Sequence, residues 1–416
     1  MADTDTLRDS ARSIFEAGVD AADPARALRR ALEAQPFPDA RGRRILIAIG
    51  KAAPRMMAEA LTHISGPHDA LVVTHHENTA EVPGATVLRA GHPVPDAAGA
   101  DAARQVMALL DGATEEDRVI ALISGGGSAL VPAPAGAMSL ADKAKVNELL
   151  LAGGLDIVRM NLVRQQLSDL KGGGFLRHAA PAEVTAYILS DVIGDDLRAI
   201  ASGPTVGPIG GREDAVALLK EEGLWDRLPD AARSHLETAR DLPPLPEAHN
   251  HLIGSNGQSL DAMAEAARGS GWETRIVSDR LIGDVADAAE TVLASFAPVE
   301  RPTALLFGGE TTVEIRGDGR GGRNQELALR VAMGAPDRPG WCFLSGGTDG
   351  RDGPTDAAGG VVDAGTASRI AGAGKDAAAL LENNDSYAAL DAAGDLLRMQ
   401  ATGTNVADLQ VLLLTP

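Results

Sequence analysis

Cysteine occurs once in the 416 residues, at Cys342. One thiol cannot staple a fold, so disulfides are excluded and a reducing, cytoplasmic setting is expected. A basic excess is also missing: the net charge is −20. That balance disfavours a nucleic-acid or anionic-membrane partner. Long apolar runs are absent too. Stretches such as Ile45–Ile49 fall far short of the ~18 residues a membrane helix needs. The acidic, amphipathic start, MADTDTLRDSARSIF, has no apolar core of the secretory kind. The nine histidines form no H-E-x-x-H and no clustered metal spacing. There is no G-x-x-x-x-G-K-[ST] and no G-x-S-x-G, so neither a P-loop nor a hydrolase elbow is encoded.

What is present is an ordinary soluble composition, 44% hydrophobic and 23% charged, long enough for two to three domains. Residues 5–34 read as two helices, the first with Leu7, Ala11, Ile14 and Phe15 on one face. Arg44–Ile49 and Arg118–Ile123 are continuous apolar runs, the pattern of strands buried on both faces. The first ends in Gly50-Lys51, the second in Ser124-Gly125-Gly126-Gly127-Ser128. Further strands are expected at 71–74, 86–89 and 184–189, with helices at 55–61, 97–110, 139–152 and 156–170. Strands alternating with helices argue for a parallel, doubly wound α/β sheet. Three prolines in Asp241–Pro246 mark a linker at 241–250. This divides the chain into an N-terminal Rossmann-like domain, 1–240, and a C-terminal α/β domain, 251–416. The second domain is expected to open on the strand His251–Gly254 and to include strands at 303–307, 311–315, 341–344 and 409–414.

Ser345–Gly360, SGGTDGRDGPTDAAGG, is the richest loop. It follows an apolar strand and holds Asp349, Asp352 and Asp356 among six glycines. Glycines let backbone N–H groups approach a ligand, and carboxylates at strand ends can bind a cation or accept a proton. Ser124–Ser128 can form an anion-binding nest. Lys51 sits at a strand's carboxyl end, where open α/β sheets place ligands. His92 and Asp96 could touch a ligand or shape a turn and cap the next helix. Lys171 and Arg323 add cations; Asp191, Asp195, Asp196 and Glu310 add acids. Glycine cradles, fixed cations and acids able to hold Mg²⁺ are the parts of a phosphoryl-transfer site. Gly317-x-Gly-x-x-Gly322 matches a dinucleotide fingerprint, but the strand before it alternates and carries Glu314 and Arg316, a poor context.

Ten short stretches, in order, resemble the glycerate 2-kinases with a MOFRL-type C-terminal domain. They include Gly50-Lys-Ala-Ala53, Ala90-Gly-His-Pro-Val-Pro-Asp96, Ser124–Ser128, Leu189-Ser-Asp-Val-Ile-Gly-Asp195, Gly308-Gly-Glu-Thr311, Gly321-Gly-Arg-Asn-Gln-Glu326 and Thr402-Gly-Thr-Asn-Val406. The resemblance implies two α/β domains with the active site in the cleft between them. It implies phosphorylation of D-glycerate at its C2 hydroxyl by ATP with Mg²⁺ or a similar divalent ion, giving 2-phosphoglycerate. Lys51 and Arg323 match the cleft cations. Around them, Ser124–Ser128, His92, Lys171 and Asn324 are expected to bind substrate or nucleotide. Asp191 and Glu310 are expected at the metal; Asp349 is the first choice for the base and Asp191 its rival. Some relatives are labelled hydroxypyruvate reductase, so an NAD(P)H-dependent reductase is the alternative. The partner is a small hydroxy acid. The oligomeric state stays open, a homodimer included.

Overall fold

The computed structural model describes residues 3–238 and 243–416. Two compact bodies divide the chain. The first comprises Ala27–Ser190 and Asp195–Ile253; the second takes the N-terminal stretch to Arg26, Asp191–Gly194 and everything from Gly254 on.

The first body is built on a six-stranded sheet. Its strands are β1 (Arg44–Ile49), β2 (His68–His75), β3 (Thr86–Ala90), β4 (Arg118–Ile123), β5 (Glu183–Leu189) and β6 (Ala248–Gly254). The order across the sheet is β3-β2-β1-β4-β5-β6, and β1 to β5 pair in parallel. The apolar runs form strands because helices cover both faces, leaving no side of β1 or β4 for water. Register matters for function. Ile49 lies opposite Ile123, so the turns leaving β1 and β4 emerge level with each other.

The domain boundary falls elsewhere than the sequence suggested. His251–Gly254, expected to open the second domain, is the end of β6 and completes the first sheet. The His251 ring stacks on Tyr187 of β5, with centroids 5.1 Å apart. Asn250 exchanges hydrogen bonds with Thr205, accepting from its hydroxyl at 2.7 Å and donating to its carbonyl at 3.2 Å. The prolines therefore precede a strand of the first body. Asp241 and Leu242, part of the expected linker, lie outside the described residues.

The second body carries a mixed sheet. It contains β7 (Glu273–Ser278), β9 (Thr303–Gly309), β11 (Trp341–Gly347), β12 (Gly359–Asp363), β13 (Leu396–Leu397) and β14 (Asp408–Leu414). The order is β13-β12-β11-β14-β9-β7, with only β7 and β9 parallel. A small ribbon, β8 (Gly283–Asp284) with β10 (Thr311–Thr312), stands apart. The expected strand 311–315 shrinks to β10. Alternation along β11 and β14 feeds two cores. Trp341, Phe343, Leu412 and Leu414 face one; Cys342, Leu344, Leu409, Val411 and Leu413 face the other. Burial pushes the Cys342 thiol up to about 12, so it is an inert core residue.

The N-terminal helix Thr4–Ala21 belongs to this second body, not to the first as a boundary at 240 would have it. Its Leu7, Ala11, Ile14 and Phe15 are buried with Met263, Leu409 and Val411. A Cβ on Gly18 would stand 2.7 Å from Met263, so glycine permits that close approach. Arg8 bridges the buried Asp363 and Asp395, at 2.8 Å from the latter.

Candidate active site

In the first body, glycine and serine lock two neighbouring turns together. Gly50 has φ +132, and a side chain there would collide with Ser124. Ser124 Oγ accepts from the Ala52 N–H at 3.1 Å, and the Lys51 N–H donates to the Gly125 carbonyl at 2.9 Å. Lys51 is thus held by its backbone against the triple-glycine loop. Gly126, at φ +86, leaves room for both the His92 ring and the Lys51 stem, 3.1 and 3.3 Å from where its Cβ would lie. Lys51, His92 and Gly126 therefore come together. Burial, then the Lys51 ammonium, hold the His92 pKa below its ordinary value. Asp96 takes the capping role: it accepts from the Gly99 N–H at 2.8 Å and meets His76 at 2.7 Å.

Lys171 reaches the same loop from beneath. Its Nζ donates to Ser128 Oγ at 2.6 Å, and Ser128 Oγ lies 3.0 Å from Ser202 Oγ. Burial, with repulsion from Lys143 and Arg164, pulls the Lys171 pKa far below its usual value. Ser202 was not among the expected site residues. Its φ of +62, beside Ala201 at +49, marks a strained turn that sequence does not display. Asp195 is similar: φ is +55, and its Oδ1 is buried with no hydrogen-bond partner among the described residues. Asp196 is committed to Arg198, at 2.8 Å.

In the second body Arg323 opens the helix Arg323–Gly334. Its Nε and Nη2 form a fork on Asp408, at 2.6 and 3.0 Å, while Nη1 pairs with Glu310 at 2.9 Å. Asp408 is buried and Glu310 is not. Burial raises the Asp408 carboxyl; the guanidinium opposes that rise and is itself held fully charged. Asp408 is the partner that sequence reasoning missed, because it sits at the start of an apolar strand 85 residues away.

The carboxylates of the long loop separate by role. Asp352 accepts from the Asn324 and Gln325 N–H groups at 3.1 and 2.8 Å and so caps the helix Arg323–Gly334. Burial pushes its pKa up to about 6. Asn324 is buried and accepts from Ser345 Oγ at 2.6 Å. Asp356 is bound by Tyr387 at 2.7 Å. Asp349 Oδ1 accepts from the Arg351 N–H at 2.9 Å, an Asx-turn. Asp191 lies in the short segment 191–194 of this body.

The G-x-G-x-x-G stretch is already filled. N–H groups of Gly317, Asp318 and Arg320 donate to Asn384, Asn383 and Asp385 at 3.1 to 3.3 Å. Side chains on Gly317, Gly319 and Gly321 would collide with the 383–386 turn. Those glycines serve packing, and the N–H groups from Gly317 to Arg320 are already bound within the protein rather than facing a pyrophosphate.

Among the described residues no group of three or more His, Cys, Asp or Glu is placed to hold a metal. Mg²⁺ that travels with phosphates needs only one or two protein carboxylates, and Glu310 is already paired with Arg323 at 2.9 Å. No helix among the described residues is long and apolar enough to cross a membrane.

Glycine turns and fixed cations at the ends of sheet strands, on an α/β scaffold, define a protein of the phosphotransferase class. Residues 10–237 match the family described as a domain of unknown function, DUF4147, and residues 303–408 match the MOFRL family. A D-glycerate 2-kinase of Thermotoga maritima is 38% identical over 98% of this chain and 99% of its own. A glycerate 2-kinase of Pyrococcus horikoshii is 36% identical over 98% of each. The crystal structure of a glycerate kinase of Thermotoga maritima matches with a TM-score of 0.92 at 37% identity, covering 99% of this chain and all of that one. The chain belongs to the glycerate 2-kinase family, with DUF4147 and MOFRL domains.

Proposed function

We propose that this protein transfers the γ-phosphoryl group of ATP to the C2 hydroxyl of D-glycerate, giving 2-phosphoglycerate and ADP. The observation that carries the reading is the turn of Lys51 clamped to the Ser124–Ser128 loop. It fixes a cation beside glycine-rich backbone at the carboxyl ends of two level strands. Lys51 is assigned to phosphate oxygens, with N–H groups of the loop and His92 beside it. Lys171 sets the Ser128 hydroxyl. Arg323 is oriented by Asp408 and offers its outer edge to the glycerate carboxylate or the phosphoryl group; an arriving anion would displace the exposed Glu310.

The acceptor oxygen attacks phosphorus, the bond to ADP breaks, and the hydroxyl proton passes to a carboxylate. Asp349 remains assigned to that proton, with Asp191 as rival; the strained Asp195, whose Oδ1 has no partner among the described residues, joins them. Asp191 and Glu310 are the carboxylates that would hold Mg²⁺, which neutralises charge on the phosphoryl oxygens.

Some relatives are labelled hydroxypyruvate reductase. The filled G-x-G-x-x-G loop argues against that activity here. Phosphorus NMR of the product from ATP, Mg²⁺ and D-glycerate tests the proposal, alongside NADH consumption with hydroxypyruvate. A 2-phosphoglycerate signal with no NADH loss is expected. NADH loss without ATP turnover would replace this reading with the reductase.

A further inference from the structure

The first body holds a cavity of about 420 Å³ that shares only Lys171 with the residues assigned to phosphoryl transfer. Lys171 reaches it from one side, and Arg177, Arg212, His178 and His235 line it, with Asp169 as the acid among them. In a chain of net charge −20, this concentration of cations is local and specific. Neither arginine has a carboxylate partner among the described residues; Arg177 donates to the Pro243 carbonyl at 2.7 Å. Behind the cavity, Lys143 and Arg164 stand near enough to repel the Lys171 charge. They too bind neutral groups: Lys143 the Pro132 carbonyl, Arg164 the Asn147 side chain at 2.7 Å. Three basic side chains, Lys171, Arg177 and Arg212, thus line the cavity with Asp169 as its one lining carboxylate, two more stand behind it, and the lining His178 is paired with Asp111 at 2.7 Å. Lys143 and Lys171 are buried and the two arginines half-buried; gathering like charges where water is scarce is costly, and a counter-anion removes much of that cost.

We propose that this cavity binds a small organic anion with at least two negative groups, a phosphate ester or a polycarboxylate, and that Lys171 transmits its occupancy to Ser128. The volume falls within the ~300–1,000 Å³ of small-molecule sites. Two guanidinium groups free of carboxylates suit forked contacts to phosphate or carboxylate oxygens. Transmission follows from the shared lysine. Its ammonium donates to Ser128 Oγ at 2.6 Å. An anion in the cavity draws that donor away and leaves the hydroxyl to Ser202. The binding claim stands apart from the kinase reading; only the transmission claim rests on it.

The test is calorimetric titration of the full chain, without nucleotide or glycerate, using inorganic phosphate and citrate as probes. Binding of at least one probe is expected, retained in Lys51→Ala and weakened tenfold or more in Arg177→Gln and in Arg212→Gln. Circular dichroism checks that each variant is folded, and either arginine variant decides if the other is not. Phosphate alone or citrate alone would identify the class of anion. No heat from either probe up to ~10 mM, a limit weaker than useful metabolite affinity, would overturn the site. Binding lost in Lys51→Ala but unchanged in both arginine variants would overturn it too. Turnover of ATP with D-glycerate should stay within twofold in the arginine variants when no anion is added. The bound probe should shift KM in the wild type and not in Arg212→Gln; an unmoved KM with proven binding refutes transmission. Absence of all ATP turnover would instead refute the kinase reading and leave the binding result intact.

Discussion

Arg323 and Lys51 share a proposed role but differ in how a mutation should be read. The Lys51 backbone anchors its turn, so Lys51→Ala removes the charge and leaves the scaffold. Its thermal transition should match the wild type while turnover falls roughly 10²-fold or more, the scale of losing one preorganised charge contact. Arg323→Ala does something else as well. It strands the buried Asp408 carboxylate, and removing one partner of such a pair costs about 3 kcal/mol. Urea denaturation should show that loss, and adding Asp408→Asn should restore part of the stability but none of the turnover. Near-normal turnover in both Lys51→Ala and Arg323→Ala would sink the site. The sequence marks Arg323 as a cation and not as the partner of a buried acid. It could not show otherwise, because Asp408 reads as the polar start of an apolar strand.

At the scale of elements, the loops at strand ends were legible and their internal division of labour was not. Continuous apolar runs ending in glycine announce buried strands, and they announced β1, β4 and β11 correctly. The loop after β11 looked like a ligand site because Asp and Gly gather there. In space Asp352 caps a helix 28 residues earlier in the chain, and Gly353 lets the loop pass close to the Gly321 carbonyl. A cap across that distance leaves no local pattern. It does leave a pH signature. The folded Asp352 carboxyl is pushed up to about 6, above its unfolded value near 4. The folded state therefore holds the proton longer than the unfolded chain does. This stabilisation is fully present below pH ~4 and is lost as pH rises through ~6. The stability gap between wild type and Asp352→Asn should shrink by up to roughly 3 kcal/mol between pH 4 and pH 7. Urea midpoints at several pH values give the gap directly, and a gap that widens with pH would contradict the burial argument.

At the scale of the whole molecule, the two sheets were foreseeable and their membership was not. His251–Ile253 and the helix Thr4–Ala21 both join the body that sequence order assigns them away from. Periodicity shows that a helix has an apolar face but not which sheet covers it. Arg8 finds Asp363 at a separation of 355 residues, beyond any local pattern. That placement predicts how the chain fails when shortened. Removing residues 1–21 takes Leu7, Ile14 and Phe15 from the core, each worth about 1.5–3 kcal/mol. It uncovers Leu344, Leu409 and Val411 on the face they cover, and it takes Arg8 from two buried carboxylates. Those losses together rival the ~5–15 kcal/mol that holds a domain folded. The shortened chain should bind a hydrophobic dye and lose cooperative melting of the second body, although no strand of the second sheet has been removed. Arg8→Ala gives the graded version: the apolar face stays, Arg369 still pairs with both acids, and the transition should shift by only a few degrees. Wild-type melting of the shortened chain would mean that the helix is an ornament on this sheet and not part of its core.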